Sequence, residues 1–283
     1  MTHTILRLVP AAVALLLVGG IAPAETLQPK FDPDRFVEGQ AIDNKYFPLE
    51  PGRRAVLRAK GVEDGERIRE KSVLTVLDDP GPRILGVRTI TQLDKGYEDG
   101  LLVEKTRDYF AQDNRGNVWY MGEDVTNFRY DDNGHLIGKD HESEWRAGRH
   151  GADPGWIMPA RQITGQRYFQ EHARRDEALD KGKTLRRLDR LRVGETVYRN
   201  VLRVLETNPF EPGARDVKYY APRVGLIRED EGVNRRLKDP DLIFRRDNDG
   251  GARVASRSAR DGHAGRGRAG GGGGHGEKGG RRR

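Results

Sequence analysis

Apolar residues in this chain fall one at a time among charged ones, and from about Ala55 onward they repeat close to every second position. Arg67–Leu77 sets Ile68, Val73, Thr75 and Leu77 among charged partners. Ile84–Leu93 spaces Ile84, Val87, Ile90 and Leu93 in the same way, with Gly86 as a candidate bulge. That period belongs to half-buried strands. Further strands are predicted at Ala55–Ala59, Leu101–Gln112, Val118–Met121, another reaching Tyr130, Glu142–Trp145, Gln166–His172, Leu185–Leu191 and Tyr198–Glu206. A last hairpin is predicted at Val217–Tyr220 and Gly225–Ile227. The turns between them read as Asp78–Pro82, Gly96–Gly100, Asp113–Asn117, Asp131–Gly134 and Pro209–Gly213, rich in the residues that turns demand. Arg146–Pro159 reads as a Gly/Pro-rich loop, and Arg174–Thr184 as the most helix-like window. The predicted fold class is all-β and mainly antiparallel: a curved sheet, half-barrel or sandwich, with at most one short helix and a disordered C-terminal tail.

The two ends break this pattern. An apolar stretch from Leu8 to Ile21 precedes Ala22-Pro23-Ala24, and polar sequence begins at Glu25. Those are the parts of a Sec-type signal peptide cleaved near Ala24, so the expected location is the periplasm or the medium. No later stretch reaches the roughly 20 apolar residues of a membrane span. The expected organisation is signal peptide 1–24, extended lead-in 25–43, β domain 44–230, linker or docking segment 231–250 and disordered Gly/Arg-rich basic tail 251–283. Tyr46–Gly52 reads as a strand entry or plug.

Charge changes the picture once it is divided. The formal net charge is +7, and the segment from Gly251 carries nine basic and two acidic residues, which is all of it. The body is therefore neutral, and the basic character belongs to the tail. Behind a signal peptide, Arg266, Arg268, Arg281, Arg282 and Arg283 point to contact with an anionic envelope surface. Nucleic acid is disfavoured as a partner, since the tail has no aromatics for base stacking. Cys is absent, so an ordinary core must hold the domain in a compartment that permits disulfides.

Four words recur together here: Tyr46-Phe47-Pro48-Leu49-x-Pro51-Gly52; Asp108-Tyr109-Phe110-Ala111-Gln112-Asp113 leading to Gly116-Asn117-Val118-Trp119-Tyr120-x-Gly122-Glu123; Pro154-Gly155-x-Ile157-Met158-Pro159; and Lys218-Tyr219-Tyr220-Ala221-Pro222-x-Val224-Gly225-Leu226. In this order they resemble a family of secreted or lipid-anchored bacterial proteins classed as a domain of unknown function. The resemblance covers about residues 44–230. It implies a curved antiparallel sheet or half-barrel, broadly like those of periplasmic lipid carriers, and no catalytic residue.

Candidate chemistry is sparse. Tyr109, Trp119, Tyr130, Trp145, Trp156 and Met158 could line a cavity for an apolar or amphiphilic small molecule, with its mouth near Trp156–Met158; the bland alternative is a filled core. His135, His141, Glu142, Glu144 and His150 carry the ligand types of zinc and similar ions, and would serve a metal-binding protein or metal-dependent hydrolase. The bland alternative is the wet side of an exposed hairpin. Asp131–Gly134 and Asp247–Gly250 lack the spacing of a calcium loop and read as turns. Ser72, Ser143, Ser256 and Ser258 are the only serines, and none lies in a nucleophile elbow. No cofactor is expected. The favoured reading is a secreted or periplasmic, non-enzymatic β domain that binds such a ligand or serves the envelope. A structural or interaction module is the alternative.

Overall fold

The structure is a computed structural model that describes residues 25–63 and 66–230, together with the strand Ile243–Arg246. Sixteen strands are present among them. The first eight are β1 (Thr26–Leu27), β2 (Arg53–Glu63), β3 (Glu66–Ile84), β4 (Val87–Glu98), β5 (Leu101–Gln112), β6 (Val118–Tyr130), β7 (Leu136–Asp140) and β8 (Trp145–Arg146). The others are β9 (Asp153–Met158), β10 (Arg167–Phe169), β11 (Glu171–His172), β12 (Lys181–Val193), β13 (Thr196–Thr207), β14 (Asp216–Ala221), β15 (Gly225–Asp230) and β16 (Ile243–Arg246). The chain is all-β and mostly antiparallel, as the alternation predicts.

Two sheets form. The larger runs β11-β9-β6-β5-β4-β3-β2-β16, with β7 and β8 also paired to β6, and it curls strongly into a half-barrel. The smaller runs β1-β10-β12-β13-β14-β15, with β1 and β10 parallel. One core cluster joins side chains of both: Val118, Trp119 and Met121 from β6, Leu202 and Val204 from β13, and Tyr220 from β14.

Several local expectations are corrected. The predicted turn at Asp78–Pro82 lies inside β3, where the register with β4 slips on either side of Pro80. Proline cannot donate to a ladder, so it is accommodated at a bulge instead of ending the strand. The chain reverses later, at Leu85 and Gly86, both with positive φ, as a two-residue hairpin requires. The reversal predicted over Gly96–Gly100 is likewise confined to Asp99 and Gly100.

The helix-like window Arg174–Thr184 holds one 3-10 turn, Arg174–Asp176, which ends at Glu177 in the left-handed region; β12 then begins at Lys181. Its two apolar residues, Ala178 and Leu179, are buried, too few for a helix stripe. The predicted strand Glu142–Trp145 is mostly a turn with Ser143 at positive φ, and only Trp145–Arg146 pairs with β6. The predicted loop Arg146–Pro159 contains β9. The lead-in is more than extended chain: a 3-10 turn spans Pro33–Arg35, and Phe31 and Phe36 pack on the Trp119 ring at centroid distances of 5.4 and 6.2 Å. Tyr46 and Leu49 are buried, so the Tyr46–Gly52 word acts as a plug in the core cluster.

The expected signal peptide, the expected disordered tail and its arginines, and Asp247–Gly250 lie outside the described residues. No helix among the described residues is long and apolar enough to cross a membrane.

Candidate functional site

A cavity of about 730 Å³ lies between the half-barrel and the smaller sheet. Strand alternation builds its walls. Asp94, Gly96 and Glu98 face it from β4; Glu104, Thr106, Asp108 and Phe110 face it from β5. Cross-strand register sets Gln92 and Glu123 on either side of Asp108, and Thr106 beside Asp94. A bulge between Tyr109 and Phe110 shifts the phase and pairs Phe110 with Tyr120. Their rings stack at 4.9 Å. Phe47 closes on Phe110 edge-to-face at 5.1 Å, and Leu49, Val76, Ile157 and Leu226 complete an apolar wall.

The rest of the lining is acidic. Among the described residues, thirteen carboxyl side chains and four basic ones line the cavity. The body is neutral overall, so folding has sorted its charges and turned carboxylates inward. The Tyr120 hydroxyl lies 2.6 Å from Asp108 and 2.8 Å from Glu123. A phenol has one proton, so both contacts are hydrogen bonds only when one of the carboxyls keeps its own. Burial, countered in part by Tyr120 and reinforced by Asp94 and Glu104, raises Asp108 to about 7. Burial and then Asp108 hold Glu123 well above the usual carboxylate range. Asp94 is also raised by burial, even though it accepts from Ser72 Oγ at 2.6 Å.

From the smaller sheet come Glu206 and Lys218. The Lys218 ammonium is 2.6 Å from Glu206 and 3.5 Å from Glu229. Burial opposes its charge, but Glu206 and Glu229 outweigh that and hold it well above its ordinary value. Gln170 Nε2 donates to Glu206 Oε1 at 2.7 Å. Next to it stands Glu171, buried and raised well above the carboxylate range by that burial, then by Asp180, Glu123 and Glu206. Asp180 is itself raised to about 6, by burial and then by Glu206.

Gly155 makes this placement of Glu171 possible. The β9–β11 pair sets Glu171 opposite Pro154. A Cβ on Gly155 would stand 2.3 Å from the Phe169 carbonyl and 2.6 Å from that of Gln170. Glycine here serves the close approach of two backbones, not a loop.

The residues named from the sequence lie elsewhere. None of Tyr109, Trp119, Tyr130, Trp145, Trp156 and Met158 lines this cavity; of the segment proposed for its mouth, only Ile157 does. Trp119, Trp145 and Met158 are buried in the core cluster, and Trp156 packs against it, meeting Trp119 at 5.8 Å. Tyr109 is buried too; it donates to Asp124 at 2.5 Å, and burial followed by that carboxylate pushes it up to about 12. Tyr130 donates to the Leu102 carbonyl at 2.9 Å.

The proposed metal ligands are exposed and engaged separately. His135 meets Asp131 at 3.2 Å, His150 meets Asp176 at 3.0 Å, and His141 sits 2.5 Å from the Val125 carbonyl and 3.9 Å from Glu144. Glu142 pairs with Arg129 at 3.2 Å. No group of three or more such side chains that could hold a metal ion occurs among the described residues.

What the sequence reading missed is the acidic wall. Its signal was the set Glu104, Thr106, Asp108 and Phe110 on alternate positions of one predicted strand. The opposite set, with Tyr109, offered an aromatic of its own, and nothing local says which face turns inward.

No protein-family model and no curated protein matches the chain. Among solved structures, a candidate exported protein with a YmcC-like fold from Bacteroides fragilis is similar over 71% of this chain and 97% of its own. Identity is 12% and the TM-score 0.33, too loose a likeness to carry an argument.

Proposed function

We propose that this chain is an exported, non-enzymatic β domain that holds an amphiphilic small molecule between its two sheets. The observation that carries the reading is the cavity, whose lining combines apolar side chains around Phe110 and Phe47 with many carboxyl groups. Its volume lies within the range of small-molecule sites, about 300–1,000 Å³. A lining that offers both apolar and polar side chains suits a ligand with an apolar body and a polar end. The N-terminal pattern of apolar stretch and small-residue cut supports export. Native mass spectrometry of the chain purified from its own host tests the reading. A co-purifying small molecule, released on denaturation, is the expected result. A chain of bare mass, whose melting temperature no lipid or amphiphile raises, would overturn it.

A further inference from the structure

We propose that the ligand carries an ammonium group and that Glu171 receives that group. This deepens the cavity reading and rests on it. Glu171 is only 7% exposed and lines the cavity, yet none of the described residues gives its carboxylate a hydrogen bond or an ion pair. An unpaired buried carboxyl keeps its proton, because the desolvation of its charged form is otherwise uncompensated, and a cation brought to it supplies the missing pairing. Gln170 is 2% exposed, lines the same space, and its Oε1 also lacks a donor. Its amide orientation is set, since Nε2 donates to Glu206. Glu171 thus faces the cavity without a donor, and the Gln170 amide, committed to Glu206, has none to lend it.

The surroundings define what is missing. Asp180, Glu123 and Glu206 all press negative charge on Glu171, and Lys218 offsets them only in part. The cavity's Lys218 is held by Glu206 and Glu229. A neutral hydroxyl would supply one donor and leave that field uncompensated. A carboxylate would add to it. An ammonium offers three donors and one positive charge, and matches both needs. The stacked Phe110 and Tyr120 rings lie on the same lining and give an alkyl chain an apolar surface. The ligand class is therefore an amphiphile with a primary-amine head.

The test uses three probes of equal chain length: dodecylamine, dodecanol and dodecanoate, each kept below its micelle threshold. Binding to the chain as purified is measured by isothermal titration calorimetry at pH 7.5, where an alkylamine is charged as lysine is. Dodecylamine is expected to bind at least about tenfold more tightly than the other two, the scale of one charge-assisted hydrogen bond. Glu171→Gln keeps the size and removes the group that becomes a carboxylate when it pairs with the ammonium. It is expected to erase that preference, while the unliganded variant melts no lower than the parent. Equal binding of all three probes, tighter binding of dodecanoate, or an unchanged preference in Glu171→Gln would overturn the ammonium assignment and leave the cavity reading intact. Binding of none of the three would overturn both.

Discussion

Replacing Asp113 by Ala tests the clamp that closes the β5–β6 hairpin. The carboxylate is wholly buried and accepts four hydrogen bonds: from the Arg115 and Asn117 amides at 2.9 Å, from Asn117 Nδ2 at 2.8 Å and from Trp119 Nε1 at 2.9 Å. Arg115 can find water after the change. The other three donors are buried. Each one left unpaired costs about 1–3 kcal/mol, so the loss is at least roughly 3 kcal/mol and can reach several more. In a domain of this size that lowers the melting temperature by about 6 °C or more. Urea denaturation followed by tryptophan fluorescence and circular dichroism measures it. The cycle with Trp119→Phe isolates the indole bond. Phe brings no donor to strand, so the two changes together should cost about 1–3 kcal/mol less than their separate costs added. A loss below about 1 kcal/mol for Asp113→Ala, or strictly additive costs, would refute this account of the hairpin.

Two further outcomes are expected. The unliganded chain should lose stability as pH rises from about 5 to 8. Asp108 at about 7 and Asp180 at about 6, with Glu123 and Glu171 also raised, keep protons in the fold that the unfolded chain has released by then. Their folded-state values lie above their unfolded ones, so their stabilisation is full below about pH 4 and is lost as pH rises through about 6 to 7. A melting temperature that is flat or rising between pH 5.5 and 8, by differential scanning calorimetry, would contradict it. Gly155→Ala drives a methyl against the Phe169 and Gln170 carbonyls. It is expected to cost on the order of 1–3 kcal/mol and to weaken capture of dodecylamine by displacing Glu171. Parental stability and affinity in the Gly155→Ala chain would show that the two backbones have room to move.

Much of the fold was legible locally. Period-two alternation at Arg67–Leu77 and Ile84–Leu93, with the turns at Asp113–Asn117 and Asp131–Gly134, specified antiparallel strands and hairpins because side chains on a strand must alternate between faces. Trp119, named from the sequence as a cavity candidate, is buried in the core, where a large aromatic on a half-buried strand finds most contact. The errors cluster where backbone meets backbone. Pro80 reads as a turn but sits at a bulge, and Gly155 reads as a loop but marks a close approach. In both cases a partner strand distant in sequence decides what the residue is for. The alternation of Glu104, Thr106, Asp108 and Phe110 was equally plain, but it does not say which side of the strand is concave.

By itself, then, the sequence determined strand periodicity, most hairpin turns, the absence of disulfides and the division of charge between a neutral body and a basic tail. Only the tertiary structure decided which face of each strand turns inward. The curl of the larger sheet gathers Asp94, Asp108, Glu123 and Glu171 from separate strands into one cavity, with Glu206 and Lys218 added by the second sheet. The physical reason is range. Alternation and turn chemistry act between neighbours in the chain, whereas the burial that raises these carboxyls arises only when strands far apart in sequence close around a shared space.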